Sequence, residues 1–257
     1  FAALTSATLN TAVGRRALIS TTSGGSNTAI GADAMFTNTT GGSNVAIGVD
    51  ALFANTTGAN NTAVGTSSLD ANTTGTTNTA IGKDSLGANT TGSQNTGLGH
   101  NALESNTTAS DNTAVGKNAL RNNTTGTRNT AVGANSGDAI TDGLANALVG
   151  NNAGGGGNFS TGVAVGDNAL LVNTGNNNTA LGQAAMVANT SGSENTAVGQ
   201  GALGSNTTAS DNTAVGRNSL NANTTGNENT ALGKDALSAN TTGTNNLSLG
   251  SDTMLAN

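Results

Sequence analysis

One histidine, His100, and no cysteine stand in the 257 residues of this chain. A single imidazole has no second His or Cys with which to complete a metal set, and copies of the repeat around it bring no Ser and carboxylate into a relay. Its place is taken elsewhere by Lys83, Lys117 or Arg217, so it reads as a variable surface side chain. Carboxylates recur at one spacing, as Asp33, Asp50, Asp84, Asp235 and Asp252, alternating with Asn101, Asn118 and Asn218. Stacked, such oxygens suggest a calcium ladder. Asp and Asn next to a glycine corner also cap turns through their own backbone, and the nonapeptide calcium-roll pattern is absent, so the turn reading is the stronger. No cofactor, metal or catalytic constellation is expected.

Two further chemistries lie in the Asn-Thr-Thr triplets at Asn38, Asn55, Asn72, Asn89, Asn106, Asn123, Asn206, Asn223 and Asn240. Each matches an N-glycosylation acceptor, but a sugar on every rung would collide at a strand spacing of about 4.8 Å. If the segment is extended, Asn and the second Thr share a face. Asn55 with Thr57, Asn72 with Thr74, and Asn89 with Thr91 then form surface rows, an array suited to ordering ice. Against that use, the partner of each Thr is Asn rather than a second Thr.

These residues are positioned by a repeat. From Asn10 the chain restarts the same phrase every 17 residues, in fifteen copies, two of them shortened to 16. The copy at Asn61 is the type: Asn61-Thr-Ala-Val-Gly65, then Leu69, then Asn72-Thr-Thr-Gly75. Positions below are counted from its leading residue. A fixed period of this size marks stacked rungs, each covering its neighbour, and 17 residues are too few for a helical repeat. Gly at 38 residues, abundant Asn and Thr, and no Pro agree with turns and unbroken backbone ladders. The reading is an all-β parallel β-solenoid of about fifteen coils, each with two short strands, NTAVG and roughly ALxANTT. Position 5 is Gly in every copy, including Gly14, Gly31, Gly48, Gly65, Gly82, Gly99 and Gly116. That recurrence points to a corner only glycine tolerates. A second corner is placed at the position-15 glycines.

Two rows are assigned to the core: position 4, with Val13, Ile30, Ile47, Val64 and Ile81, and position 9, with Leu52, Leu69, Leu86, Leu103 and Leu120. Asn rows at positions 1 and 12 are expected to add ladder hydrogen bonds. The small-residue rows, Ala29, Ala46, Ala63 and Ala80 at position 3 and Ala34, Ala51, Ser68 and Ser85 at position 8, look suited to packing against another chain. A homo-oligomer follows, with end-to-end polymerisation as a further option. The division is a lead-in at 1–9 and one array over 10–257, irregular at 134–161. There Leu gives way to Gly137 and Gly154, and Ile140, Leu144 and Phe159 either plug the core or mark a protruding loop.

The NTAVG-like phrase, one per coil and followed by Ala or Ser three positions after the glycine, resembles the head repeats of trimeric autotransporter adhesins, the YadA-like β-roll family. Related arrays look like shafts of bacterial and phage tail fibres. The resemblance covers the chain from Asn10 onward. It implies a left-handed β-roll, a homotrimer, display outside the cell or on a virion, and attachment to surfaces; it transfers no ligand-binding residue. The family's period is roughly 14, and this chain adds the NTTG corner. With no stalk, anchor or chaperone domain in view, the chain reads as a piece of a longer architecture.

A net charge of −6, with 9% charged residues, argues against nucleic acid, which needs clustered Lys and Arg. No apolar run is long enough for a membrane span. The first functional expectation is an extracellular fibre or adhesin using variable outward positions such as Phe36, Phe53, Asp70, Glu104 and Arg121. The alternatives are a passive filament or spacer, and an ice binder.

Overall fold

The computed structural model describes residues 6–254. Residues 1–5 of the expected lead-in and 255–257 of the array lie outside the described residues. The protein is an all-β parallel β-solenoid, and among the described residues there is no helix. It divides into two compact units, residues 1–128 and 129–257. In the first, strands β1 to β7 are Thr11–Val13, Thr28–Ile30, Val45–Ile47, Thr62–Val64, Thr79–Ile81, Thr96–Leu98 and Thr113–Val115. In the second, β8 to β15 are Thr130–Val132, Ala147–Val149, Val163–Val165, Thr179–Leu181, Thr196–Val198, Thr213–Val215, Thr230–Leu232 and Leu247–Leu249. Within each unit every strand pairs in parallel with its sequence neighbour, in a register that sets like on like: Thr62 on Thr79, Ala63 on Ala80, Val64 on Ile81.

Each coil contains one strand, where two were expected. The ALxANTT segment is a chain of turns and bends because position 7 and position 9 are left-handed: φ is 53° at Ser67 and 52° at Leu69, and again 59° at Thr77 in position 17. Left-handed residues cannot continue an extended strand. They instead swing amides alternately toward the two neighbouring coils. Ser67 donates back to the Val49 carbonyl at 3.0 Å and Leu69 donates forward to that of Ser85 at 3.1 Å. The backbone is thus hydrogen-bonded along the stack without a second strand.

The first corner is the glycine at position 5. Gly65 has φ +135°, and a β-carbon there would lie 2.6 Å from the carbonyl oxygen of Gly82 in the next coil. Conformation and close approach both exclude a side chain.

The core differs from the expected pairing of rows. Position 9 is inside: Leu52, Leu69, Leu86, Leu103 and Leu120 are fully buried. Position 4 is outside: Val13, Ile30, Ile47 and Ile81 are 57%, 39%, 38% and 39% exposed, and Val64 is half-buried. Strand alternation puts Ala63 inward in place of Val64. The interior opposite the strand has room for Ala and no more; even at Gly97 a β-carbon would come 2.5 Å from the Ser85 hydroxyl oxygen. The aliphatic row therefore faces out because the coil is too narrow to admit it. The same geometry overturns the small-residue rows as docking surfaces: Ala29, Ala46, Ala63, Ala80, Ala34, Ala51, Ser68 and Ser85 are all fully buried inside their own coils.

The rest of the interior is polar. Asn55 at position 12 donates to the Asn38 oxygen of the preceding coil at 2.8 Å and to the Gly58 carbonyl of its own coil at 3.0 Å. Asn44, at position 1 of the same coil, donates to that same carbonyl at 2.9 Å. Its side-chain oxygen accepts the backbone N–H of Asn61 at 2.9 Å. Two asparagines per coil therefore close the ring on one carbonyl, using both its lone pairs.

The irregular stretch is neither a protruding loop nor a gap. Ile140 and Phe159 are buried, whereas Leu144 is 39% exposed and does not plug the core. The third filler is Leu148, at the position-3 site held by Ala in most other coils; it is fully buried in space left by Gly137 and Gly154. Both glycines keep the left-handed angle of the leucines they replace, at 62° and 59°. Where the shortened coil lacks a residue, the Asn158 side-chain oxygen accepts the N–H groups of Thr141 and Gly143, at 3.0 and 3.1 Å, in place of a backbone carbonyl.

Candidate interaction surface

With the repeat's invariant residues used for closure and packing, chemistry is left to the positions that vary. Position 10 follows the left-handed leucine and faces outward on the turn side of the coil. In the first unit it reads Ile19, Phe36, Phe53, Asp70, Gly87, Glu104, Arg121. Phe36 and Phe53 stack with ring centroids 5.2 Å apart and an interplanar angle of 4°. The Arg16 guanidinium lies over the Phe36 ring, 4.8 Å from its centroid, a cation–π arrangement. Arg16 is held there by Asp33, in a bidentate pair with N···O distances of 2.6 and 2.7 Å, and Arg15 adds a third bond at 3.0 Å. The Arg16 hydrogen bond, opposed by desolvation and aided by the Arg15 charge, holds the Asp33 carboxyl below the usual carboxylate range.

Gly87 interrupts the row. The missing side chain opens a depression of about 430 Å³ lined by Asp70, Asp84, Gly87, Ala88, Glu104 and Ser105. Partial burial pushes the Asp70 carboxyl above its ordinary value; hydrogen bonds from backbone N–H groups oppose the shift, and the charges of Asp84 and Asp50 add to it. Sequence reasoning named Phe36, Phe53, Asp70, Glu104 and Arg121 as outward, but missed the hollow. Its signal was a glycine in a row of large residues.

The other candidate residues are dispersed. His100 is exposed. Four of the five position-7 carboxylates meet neighbouring cations: Asp33 meets Arg15 and Arg16, Asp84 meets Lys83, and Asp235 and Asp252 meet Lys234. Among the described residues no group of three His, Cys, Asp or Glu is placed to hold a metal ion. The Asn-x-Thr surface rows do not exist as such. Asn55, Asn72 and Asn89 are fully buried in the internal ladder, while Thr57, Thr74 and Thr91 are exposed. The segment is bent rather than extended, so residues two apart lie on opposite sides. The same burial keeps the asparagines of these acceptor triplets from carrying sugars in the folded chain, since both amide hydrogens are bonded.

Searches against known protein families, curated proteins and solved structures find no match for this chain. Among the described residues no helix is long and apolar enough to cross a membrane.

Proposed function

We propose that the chain is a non-enzymatic, extracellular attachment segment, a solenoid scaffold that holds a variable row of side chains at fixed spacing for contact with another surface. The observation that carries this reading is position 10 of the first unit. There the residue type changes from aromatic to acidic to glycine while the backbone beneath it does not, with φ at the preceding leucine 54° at Leu52, 52° at Leu69 and 53° at Leu86. A scaffold that tolerates any side chain at one outward position is suited to presenting a contact surface, and aromatic and Arg side chains are the types enriched in such contacts. The likeness of the NTAVG phrase to adhesin and tail-fibre repeats favours the same reading, and with it a homotrimer and display outside the cell.

The test is adsorption of the purified chain to immobilised extracellular-matrix protein and to immobilised polysaccharide, beside the variant Phe36→Ala/Phe53→Ala/Asp70→Ala/Glu104→Ala. Binding by the parent that weakens at least tenfold in the variant, with circular dichroism unchanged, supports the reading. Parent and variant that adsorb alike, or not at all, sink it.

A further inference from the structure

The position-4 row is the largest apolar feature left uncovered. In the first unit it runs Val13, Ile30, Ile47, Val64, Ile81, Leu98, Val115, and in the second Val132, Val149, Val165, Leu181, Val198, Val215, Leu232, Leu249. Beside it on the same outer face lies position 2, which is Thr in most copies and Val45, Ala147, Val163 or Leu247 in the others. Not one residue of the described strands is charged, although the chain carries 8 Lys or Arg and 14 Asp or Glu. All of those charges sit on the turns. Isolated exposed aliphatics need no explanation, but a charge-free row of them along each unit does.

We infer that this outer Thr and aliphatic face is covered by a second copy of the same chain, laid side by side along the solenoid. Three observations select that occupant. The face repeats at the strand spacing of about 4.8 Å, so a partner that fills it evenly must carry the same repeat, which another copy does by construction. Position 4 varies between Val, Ile and Leu, and position 2 admits Ala and Leu; packed side chains absorb such differences in size, whereas a rigid lattice of water does not. The area also suffices. A strip about 10 Å wide over strands about 4.8 Å apart amounts to roughly 700 Å² per copy summed over both units, close to the roughly 800 Å² per partner of a standard interface. The inference deepens the homo-oligomer of the proposed function and moves its contact from the buried small-residue rows to the strand face.

Light scattering measures it directly. The parent is expected at a multiple of 24.6 kDa, and Ile47→Lys/Ile81→Lys, whose new charges point to solvent in a single chain, is expected at one copy. Because the chain has no cysteine, Leu98→Cys and Thr74→Cys, both at positions exposed in a single chain, each give one thiol, and maleimide should label the first at least tenfold more slowly than the second. That comparison stands even if the lysine variant fails to fold. A monomeric parent, an oligomer untouched by the lysines, or equal labelling rates overturns the inference. So does a monomer that depresses the freezing point, which would give this face to ice. An oligomer that adheres to nothing sinks the attachment reading alone, and a monomer that still adheres sinks this one alone.

Discussion

Asn55 and Asn38 are joined coil to coil by a side-chain hydrogen bond of 2.8 Å in the interior of the solenoid, with both residues fully buried. The bond repeats at Asn72 and Asn89, each at 2.9 Å. In a larger domain that space would be apolar. Here the coil is so narrow that backbone carbonyls reach its centre, and a buried carbonyl without a donor costs more than a well-made amide ladder gains over an apolar filling. The amide of Asn is the shortest side chain offering two donors and an acceptor, which is why it recurs.

Replacing Asn72 by Ala should therefore cost more than the loss of its own contacts. The substitution strips a donor from Asn55, an acceptor from Asn89 and one of two donors from the Gly75 carbonyl. Asn61 still serves that carbonyl at 2.9 Å. A loss of about 3 kcal/mol is expected from one ladder break with buried groups unpaired, read by chemical denaturation. Thr74→Ala, on the exposed bend, should change stability by less than about 0.5 kcal/mol.

The two glycine corners should respond differently to the same change. At Gly65 an added methyl meets the Gly82 carbonyl oxygen at 2.6 Å on a backbone with φ +135°. At Gly75 it meets the Asn72 and Gly92 oxygens at 2.4 Å, but with no left-handed angle. Ala109 and Ala209 already occupy the position equivalent to Gly75 and are buried there. Gly65→Ala should cost about 3 kcal/mol or more and Gly75→Ala about 1 kcal/mol, the difference being backbone strain. Thermal unfolding followed by circular dichroism separates the two.

That contrast shows what could be read from residue order alone. The period, the parallel stacking, the position-5 corner, the Leu row and the Asn rows were legible because each rests on recurrence at one position. The facing of Val64 was not. The rule that aliphatic residues go inside assumes an inside large enough for them, and the width of the coil is set by the left-handed turns at Ser67 and Leu69. Ser, Asp and Asn at position 7 do signal such a turn; Leu at position 9 signals the opposite, since a bulky residue rarely takes a positive φ. The hollow at Gly87 was equally hidden, because one glycine among 38 carries no mark of its own until its neighbours in the stack are known.

Acidification should move two carboxylates in opposite directions. Arg16, with Arg15, lowers the Asp33 value below that of the unfolded chain, about 3.9. Its contribution is therefore complete above about pH 3.9 and disappears as pH falls through the depressed folded value. Asp70 is raised by burial, so its charge opposes folding at neutral pH, and the penalty is relieved as pH falls through the raised value toward 3.9. Asp33→Asn should lower the midpoint of thermal unfolding at pH 7 and Asp70→Asn should raise it. Both differences should vanish in strong acid. Unfolding midpoints of the two variants and the parent between pH 2 and 7 provide the check, and shifts of the same sign would contradict it.

Phe159 and Gly154 form a swap that can be reversed. The aromatic ring enters the core from position 15, the site of Gly or Ala elsewhere, and lies where a β-carbon on Gly154 would come within 2.8 Å of its tip. Phe159→Ala alone leaves a void and should cost about 3 to 5 kcal/mol. Gly154→Leu alone forces a leucine into the ring and should cost about 1 to 3 kcal/mol by overpacking. Together they return Leu to position 9, at φ near the 59° already present, and Ala to position 15 as at Ala109, with the fillers Ile140 and Leu148 left in place. The double variant should then be more stable than either single one, a coupling of at least about 2 kcal/mol in a double-mutant cycle. Additive losses would mean that Phe159 does not stand in for the missing leucine, and that Ile140 and Leu148 fill the stretch without it.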